Sequence, residues 1–102
     1  MTATRTPLSG DYRESDLIAA FTREGLRAMR WSNAPGDVYA SHDHAYHKVL
    51  YCLQGSIVFR IDDTGDEIEL RPGDRLDIEP GTAHSAIVGP AGVTCIEAPR
   101  AT

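Results

Sequence analysis

Three of the chain's four histidines fall within six positions, at His42, His44 and His47. Successive side chains alternate faces along a β-strand, so His42 and His44 are expected to present both imidazoles on one side. Two neutral imidazoles converging from one face make half of a tetrahedral or octahedral transition-metal site. The fourth histidine, His84, lies about forty residues on, behind a segment marked by glycine and proline. A strand folded back on the first would bring it up as a third ligand. Three imidazoles leave positions open for water or a substrate, which is the catalytic rather than the closed structural arrangement. His47 has odd parity relative to His44 and is expected to face outward; a bulge shifting the strand by one residue would make it an alternative ligand. The competing reading is that isolated histidines are structural, and the mutual spacing of this trio weighs against it.

These side chains need elements to hold them. Residues 1–13 are polar and broken by Pro7 and Gly10, and read as a flexible N-terminal arm ahead of a single domain over residues 14–102. Ser15 as N-cap, the apolar stripe Leu17, Ile18 and Phe21, and the stop at Gly25 predict one short amphipathic helix. Its expected role is structural, as a lid on the barrel or a dimer contact. After Gly25 the pattern turns to β. Leu26–Trp31 alternates apolar and basic residues, Val38–Ser41 leads into the histidines, and Lys48–Gln54 is a nearly continuous apolar run. Ile57, Phe59 and Ile61 alternate up to a turn at 62–66. Ile68 and Leu70, then Leu76 and Ile78, alternate with acidic or basic residues. Gly89-Pro90-Ala91-Gly92 reads as a last turn before a final strand, Val93–Glu97. Seven or eight short strands at such spacing predict an all-β sandwich or barrel with one helix in front.

Composition narrows the function. Hydrophobic residues at 41% and charged residues at 25% are ordinary for a globular chain of 102 residues. A formal net charge of −5 with no basic cluster argues against nucleic acid as a partner. No apolar run approaches the ~20 residues that span a bilayer. Met1–Gly10 carries one arginine and no apolar stretch, so it does not read as an export signal and a cytoplasmic protein is expected. On that footing Cys52 and Cys95 are expected to be reduced, buried thiols, with a Cys52–Cys95 bridge or a thiol near the metal as the alternatives.

The bracketed histidines resemble the first cupin motif, G-x5-H-x-H-x3/4-E-x6-G. Here Gly36, five residues, His42, one, His44, three, Lys48, six, and Gly55 keep every spacing, with lysine where the motif has glutamate. The second motif, G-x5-P-x-G-x2-H-x3-N, is matched by Gly73, Gly81 and His84; the proline comes one place later, as Pro80, and Val88 replaces the asparagine. The resemblance runs from about Trp31 to Ala98. It implies a cupin jelly-roll barrel whose mouth holds a divalent transition metal on His42, His44 and His84, with the fourth ligand position lost to Lys48. Cupins bind iron, manganese, nickel, zinc or copper, and their activities span dioxygenases, isomerases, decarboxylases, storage proteins and sensors, so the fold does not choose the function.

Lys48 is the departure that shapes the site. By parity from His44 it should point into the barrel, where its ammonium repels a metal unless it is paired. Three readings stay open: a pair with Glu97 or Asp77 beside a three-histidine metal, a lysine that binds an anionic substrate next to the metal, or a metal-free anion site. Tyr46 and Tyr51 are candidate pocket hydroxyls, and Lys48 or Tyr46 is the candidate for orienting a substrate. Two functions follow. One is a metal-dependent enzyme, oxygenase-like or isomerase-like, on a small polar or anionic molecule. The other is a non-catalytic metal- or small-molecule-binding cupin acting as a sensor or accessory protein. A barrel of this size has strand edges to cover, and a homodimer through Leu26–Trp31 and the helix is expected.

Overall fold

The computed structural model describes residues 3–7 and 13–100. Its elements are β1 (Ala3–Thr6), α1 (Glu14–Arg23), β2 (Met29–Asn33), β3 (Val38–His42), β4 (His47–Ile61), β5 (Glu67–Leu70), β6 (Arg75–Ile78) and β7 (His84–Arg100). All strand pairs are antiparallel. The sheet runs β1-β6-β4-β7-β2, with β3 added to β7 and β5 added to β4. It bends into a jelly-roll shape without closing into a barrel.

Two long strands organise this arrangement. The first part of β4, His47 to Gly55, pairs with β7 from Val93 to Arg100, and the second part, Ile57 to Ile61, pairs with His84 to Val88. Between them the register jumps from Gly55↔Val93 to Ile57↔Val88. Residues 89–92, expected as a turn between two strands, are therefore a bulged excursion within one strand. The bend lets the two halves enclose one core, in which Leu50, Cys52, Ile57, Phe59, Leu70, Leu76, Val88 and Cys95 pack together.

Parity along β4 sorts the chemistry. Lys48, Leu50 and Cys52 share the inner face, while His47, Val49 and Tyr51 share the outer one. On that outer face Val49, Tyr51, Ile96 and Ala98 form a second core with Leu17 and Phe21 of α1. The helix thus backs the sheet and is not a lid over the cavity. Its stripe was legible because Leu17 and Phe21, one turn apart, are its two buried residues. The cap lies two residues earlier than expected: Arg13 is the N-cap, and the Asp16 carboxylate accepts from the Arg13 backbone N–H at 2.7 Å.

Two further expectations change. Ala3–Thr6, assigned to a flexible arm, pairs residue for residue with β6 from Ala3↔Ile78 to Thr6↔Arg75. A polar strand at a sheet edge carries no apolar signature, since its stabilisation is backbone hydrogen bonding to a strand far away in sequence. The rest of that arm, apart from Pro7 and Arg13, lies outside the described residues. The strand expected over Leu26–Trp31 begins only at Met29, because Leu26 and Ala28 are drawn against the helix-side core. Among the described residues no helix is long and apolar enough to cross a membrane.

Candidate metal centre

His42 ends β3, and its Cα partner across the ladder is His84, the first residue of β7. A register shift between Tyr39 and His42 kinks β3 just before this pair. His44 is not on the strand at all. It sits in the connection to β4, where the Gly81 N–H donates to its carbonyl at 2.8 Å. The expected strand parity is absent, yet the two motif loops, tied to each other, bring the same imidazoles together.

His42, His44 and His84 each offer a ring nitrogen, and these atoms lie within 4.8 Å of one another. Ring centroids are 4.5 Å apart for His42–His84, 4.8 Å for His42–His44 and 5.5 Å for His44–His84. The Nδ1–H of His84 donates to the Thr82 carbonyl and that of His42 to the Ala40 carbonyl, each at 2.8 Å. Those bonds place the proton on Nδ1 and leave Nε2 with its lone pair, the form that ligates a metal. Nε2 of His44 and Nε2 of His84 are buried and have no hydrogen-bond partner. Burial holds the His44 and His84 imidazoles below their ordinary value, and the Lys48 charge pushes both the same way. Neutral imidazoles with unsatisfied, converging nitrogens fit a divalent transition metal; a buried acceptor left empty-handed is otherwise costly.

The other sequence candidates separate. Lys48 lines the same cavity, and its Nζ lies 3.2 Å from Glu97 Oε1 on β7, the first of the two partners foreseen for it. The second, Asp77, instead accepts from His47 Nε2 at 2.9 Å and from Arg75 at 2.8 Å. His47 is thereby fixed on the outer face, and the bulge that would have made it a ligand occurs in β3 rather than at the start of β4. Tyr46 stacks on the His44 ring at 4.9 Å and does not line the cavity. Tyr51 lies on the helix side, its hydroxyl accepting from Arg75 at 3.1 Å. Cys52 and Cys95 are free, buried thiols directly opposite each other in the ladder.

The cavity has a volume of about 240 Å³. Beyond His42, His84, Lys48, Glu97 and Arg30, it is walled by aromatic and aliphatic groups, among them Trp31, Tyr39, Phe59 and Ile57. Sequence reasoning missed Trp31 and Tyr39 as site residues. Trp31 stood in a strand read as half-buried and as a dimer interface, and Tyr39 precedes the register shift, so neither was assigned to the site. Trp31 Nε1 donates to Glu97 Oε1, and the Tyr39 hydroxyl donates to Asn33.

Residues 29–96 match the Cupin domain family. The chain is 36% identical over 80 residues to the quercetin 2,3-dioxygenase of Bacillus subtilis (strain 168), a match spanning 76% of this chain but 23% of that protein. Among solved structures it is similar to an RmlC-like cupin from Shewanella frigidimarina, with 26% identity and a TM-score of 0.63 over 72% of this chain and 64% of that one. It is also similar to the polyketide cyclase RemF from Streptomyces resistomycificus, with 25% identity and a TM-score of 0.63 over 76% and 58% of the two chains. The two glycine-bracketed histidine motifs, the bent jelly-roll sheet they fold into and a family match over two-thirds of the sequence agree: the chain belongs to the cupin family.

Proposed function

We propose that this chain binds a divalent transition metal on His42, His44 and His84 and uses it as an enzyme, oxygenase-like or isomerase-like, on a small polar or anionic molecule held in the adjoining cavity. The observation that carries this reading is the pair of buried, unpartnered Nε2 atoms on His44 and His84. When bound, a divalent metal supplies Lewis acidity and open positions for a substrate oxygen or water. The chain's own residues do the rest: Thr82 and Ala40 fix the imidazole tautomers, the apolar walls exclude water, and Glu97 neutralises Lys48 so that its ammonium does not oppose the metal unpaired. The similarity to a dioxygenase supports an oxygen-using reaction, although the chain covers under a quarter of that protein.

Metal analysis by mass spectrometry on untagged protein tests this reading. Near-stoichiometric iron, manganese, nickel or zinc is expected in the wild type, with at least a hundredfold loss of affinity in His84→Ala, since even outer-shell changes cost about 10–100-fold. A metal-free protein after expression in supplemented medium would refute it. The lysine at the motif's glutamate position favours a second reading, a non-catalytic binding cupin, because it removes the anionic ligand. Tight zinc without oxygen uptake or turnover would select that one.

Lys48→Glu separates the two charges at this position. Without metal it sets a carboxylate beside Glu97 and is expected to lower Tm; with metal it restores a fourth ligand and is expected to raise Tm above the gain that metal gives the wild type. A metal-induced Tm gain no larger than that of the wild type would show that residue 48 does not reach the metal. We also infer a homodimer: β2 ends the strand order and carries Met29, 64% exposed. A single-chain mass by sedimentation at micromolar concentration would end that inference.

A further inference from the structure

One end of the cavity is left unused by a three-histidine metal. Lys48 Nζ and Trp31 Nε1 both meet Glu97 on the same oxygen, Oε1, which leaves Oε2 as an acceptor. The ammonium has three N–H donors, and one contact with Oε1 leaves two. The side chains of Lys48 and Glu97 are only 12% and 22% exposed, so this donor and acceptor stand side by side in a largely desolvated place. A single hydroxyl satisfies both: its oxygen accepts from the ammonium while its hydrogen goes to the carboxylate. Hydrogen bonds of this kind, with an ionised partner on each side, are the strong ones.

The cavity walls say what carries that hydroxyl. Trp31, Tyr39 and Phe59 offer ring faces or edges, and Ile57 and Ala86 add aliphatic contact. Such walls suit a flat apolar body. At about 240 Å³ the space lies under the ~300–1,000 Å³ of pockets that take drug-sized ligands, so it suits a small aromatic molecule.

We propose that the Lys48–Glu97 pair, oriented by Trp31, is the ligand-reading end of the cavity and recognises the hydroxyl of a small single-ring phenol or enol. This deepens the function proposed above and rests on it only for the cavity's being the binding site. The lysine that breaks the family's glutamate position then has a use: it turns a metal-ligand position into half of a hydroxyl receptor, with Glu97 as the other half.

Trp31 is the only tryptophan in the chain and lies in the cavity wall, so its fluorescence reports occupancy. The probes are 4-methylphenol and its methyl ether, 4-methylanisole, which share the ring but differ in the hydroxyl hydrogen. The wild type is expected to bind the phenol at least about tenfold more tightly, the difference one charge-assisted hydrogen bond makes. In Glu97→Gln, which places an amide N–H2 where an acceptor stood, and in Lys48→Met, the preference is expected to fall below about threefold; each variant leaves one member of the pair unpartnered, so Tm is expected to fall in both, while metal is retained in Lys48→Met, where no ammonium opposes it. A preference that persists in both variants would overturn the inference, because the metal or the histidines would then be reading the hydroxyl. So would a wild type that binds neither probe, or metal loss in Lys48→Met, which would put the lysine inside the metal centre. A metal-free wild type that still discriminates would refute the metal reading and leave this one standing.

Discussion

Gly55→Ala is expected to lower Tm by about 15–25 °C or leave no soluble protein. Gly55 has a φ of +73°, and a Cβ there would lie 1.9 Å from the Gly92 carbonyl oxygen and 2.8 Å from its carbon. Both obstacles are backbone, so no side-chain rotation relieves them. The left-handed conformation alone costs a non-glycine residue about 1–2 kcal/mol, and forcing atoms into a packed place adds about 1–3 kcal/mol. The sum, about 2–5 kcal/mol, is a large share of a domain's total stability. Each kcal/mol moves Tm by about 4–8 °C at this size. The close approach exists because β4 and β7 change register there, where the two halves of the sheet bend over the core. Gly65→Ala is the control: its φ is +74° but nothing lies within 4 Å, so only the conformational cost applies and a loss of about 5–10 °C is expected. Equal losses in thermal melts of the two variants would show that the crossing with Gly92 is not the constraint.

Arg75→Met should lower Tm by about 10 °C at pH 7 and by much less in acid. Arg75, 17% exposed, meets Glu24 at 2.6 and 3.0 Å, Asp77 at 2.8 and 3.1 Å and the Tyr51 hydroxyl at 3.1 Å. Glu24 follows the end of α1, so the guanidinium ties the helix to β6. Losing it leaves two partly buried carboxylates short of a partner, though Arg100 still reaches Glu24 and His47 still reaches Asp77. Removing one member of a fully buried pair costs about 3–5 kcal/mol; with these remaining partners and some solvent, about 2 kcal/mol is expected.

The pH dependence follows from the two carboxylates. The hydrogen bond from Arg75 holds Glu24 below its ordinary 4.5, against the opposing effect of burial. Burial is the largest influence on Asp77 and pushes it up, but the bonds from Arg75 and His47 together outweigh it and leave it below its ordinary 3.8. A carboxyl group depressed in the folded state contributes stability that is fully present above its unfolded value and is lost as pH falls through the folded one. The gap between wild type and Arg75→Met should therefore be constant above about pH 5 and close progressively towards about pH 2. A gap that stays open in acid would assign the loss to the packing of the arginine stem instead.

Most of what could be read along the chain was local. Spacing of two between His42 and His44, glycines that bracket them and His84 behind Pro80-Gly81 needed no partner strand to be legible, and they led to the three-histidine cluster and the family. Alternation did the same for β4, whose inner Lys48, Leu50 and Cys52 and outer His47, Val49 and Tyr51 are where a period of two puts them. The helix declared itself through Leu17 and Phe21.

What only the tertiary structure decided depends on register between distant strands, to which a period is blind. Whether Lys48 pairs with Glu97 or Asp77 turns on which face of β4 meets which residue of β6 and β7, and parity assigned the lysine to the cavity and Asp77 to the helix side with His47 and Arg75. The kink in β3 put His44 beyond the strand without removing it from the centre, because the bond from Gly81 supplied what strand geometry did not. Trp31 and Tyr39 entered the cavity wall through strands paired to β7, and Ala3–Thr6 became a strand only because β6 offered it an open edge. The sequence by itself determined which histidines form the cluster; long-range pairing decided which side chains face one another, since a hydrogen-bonded ladder joins residues whose separation along the chain no local pattern records.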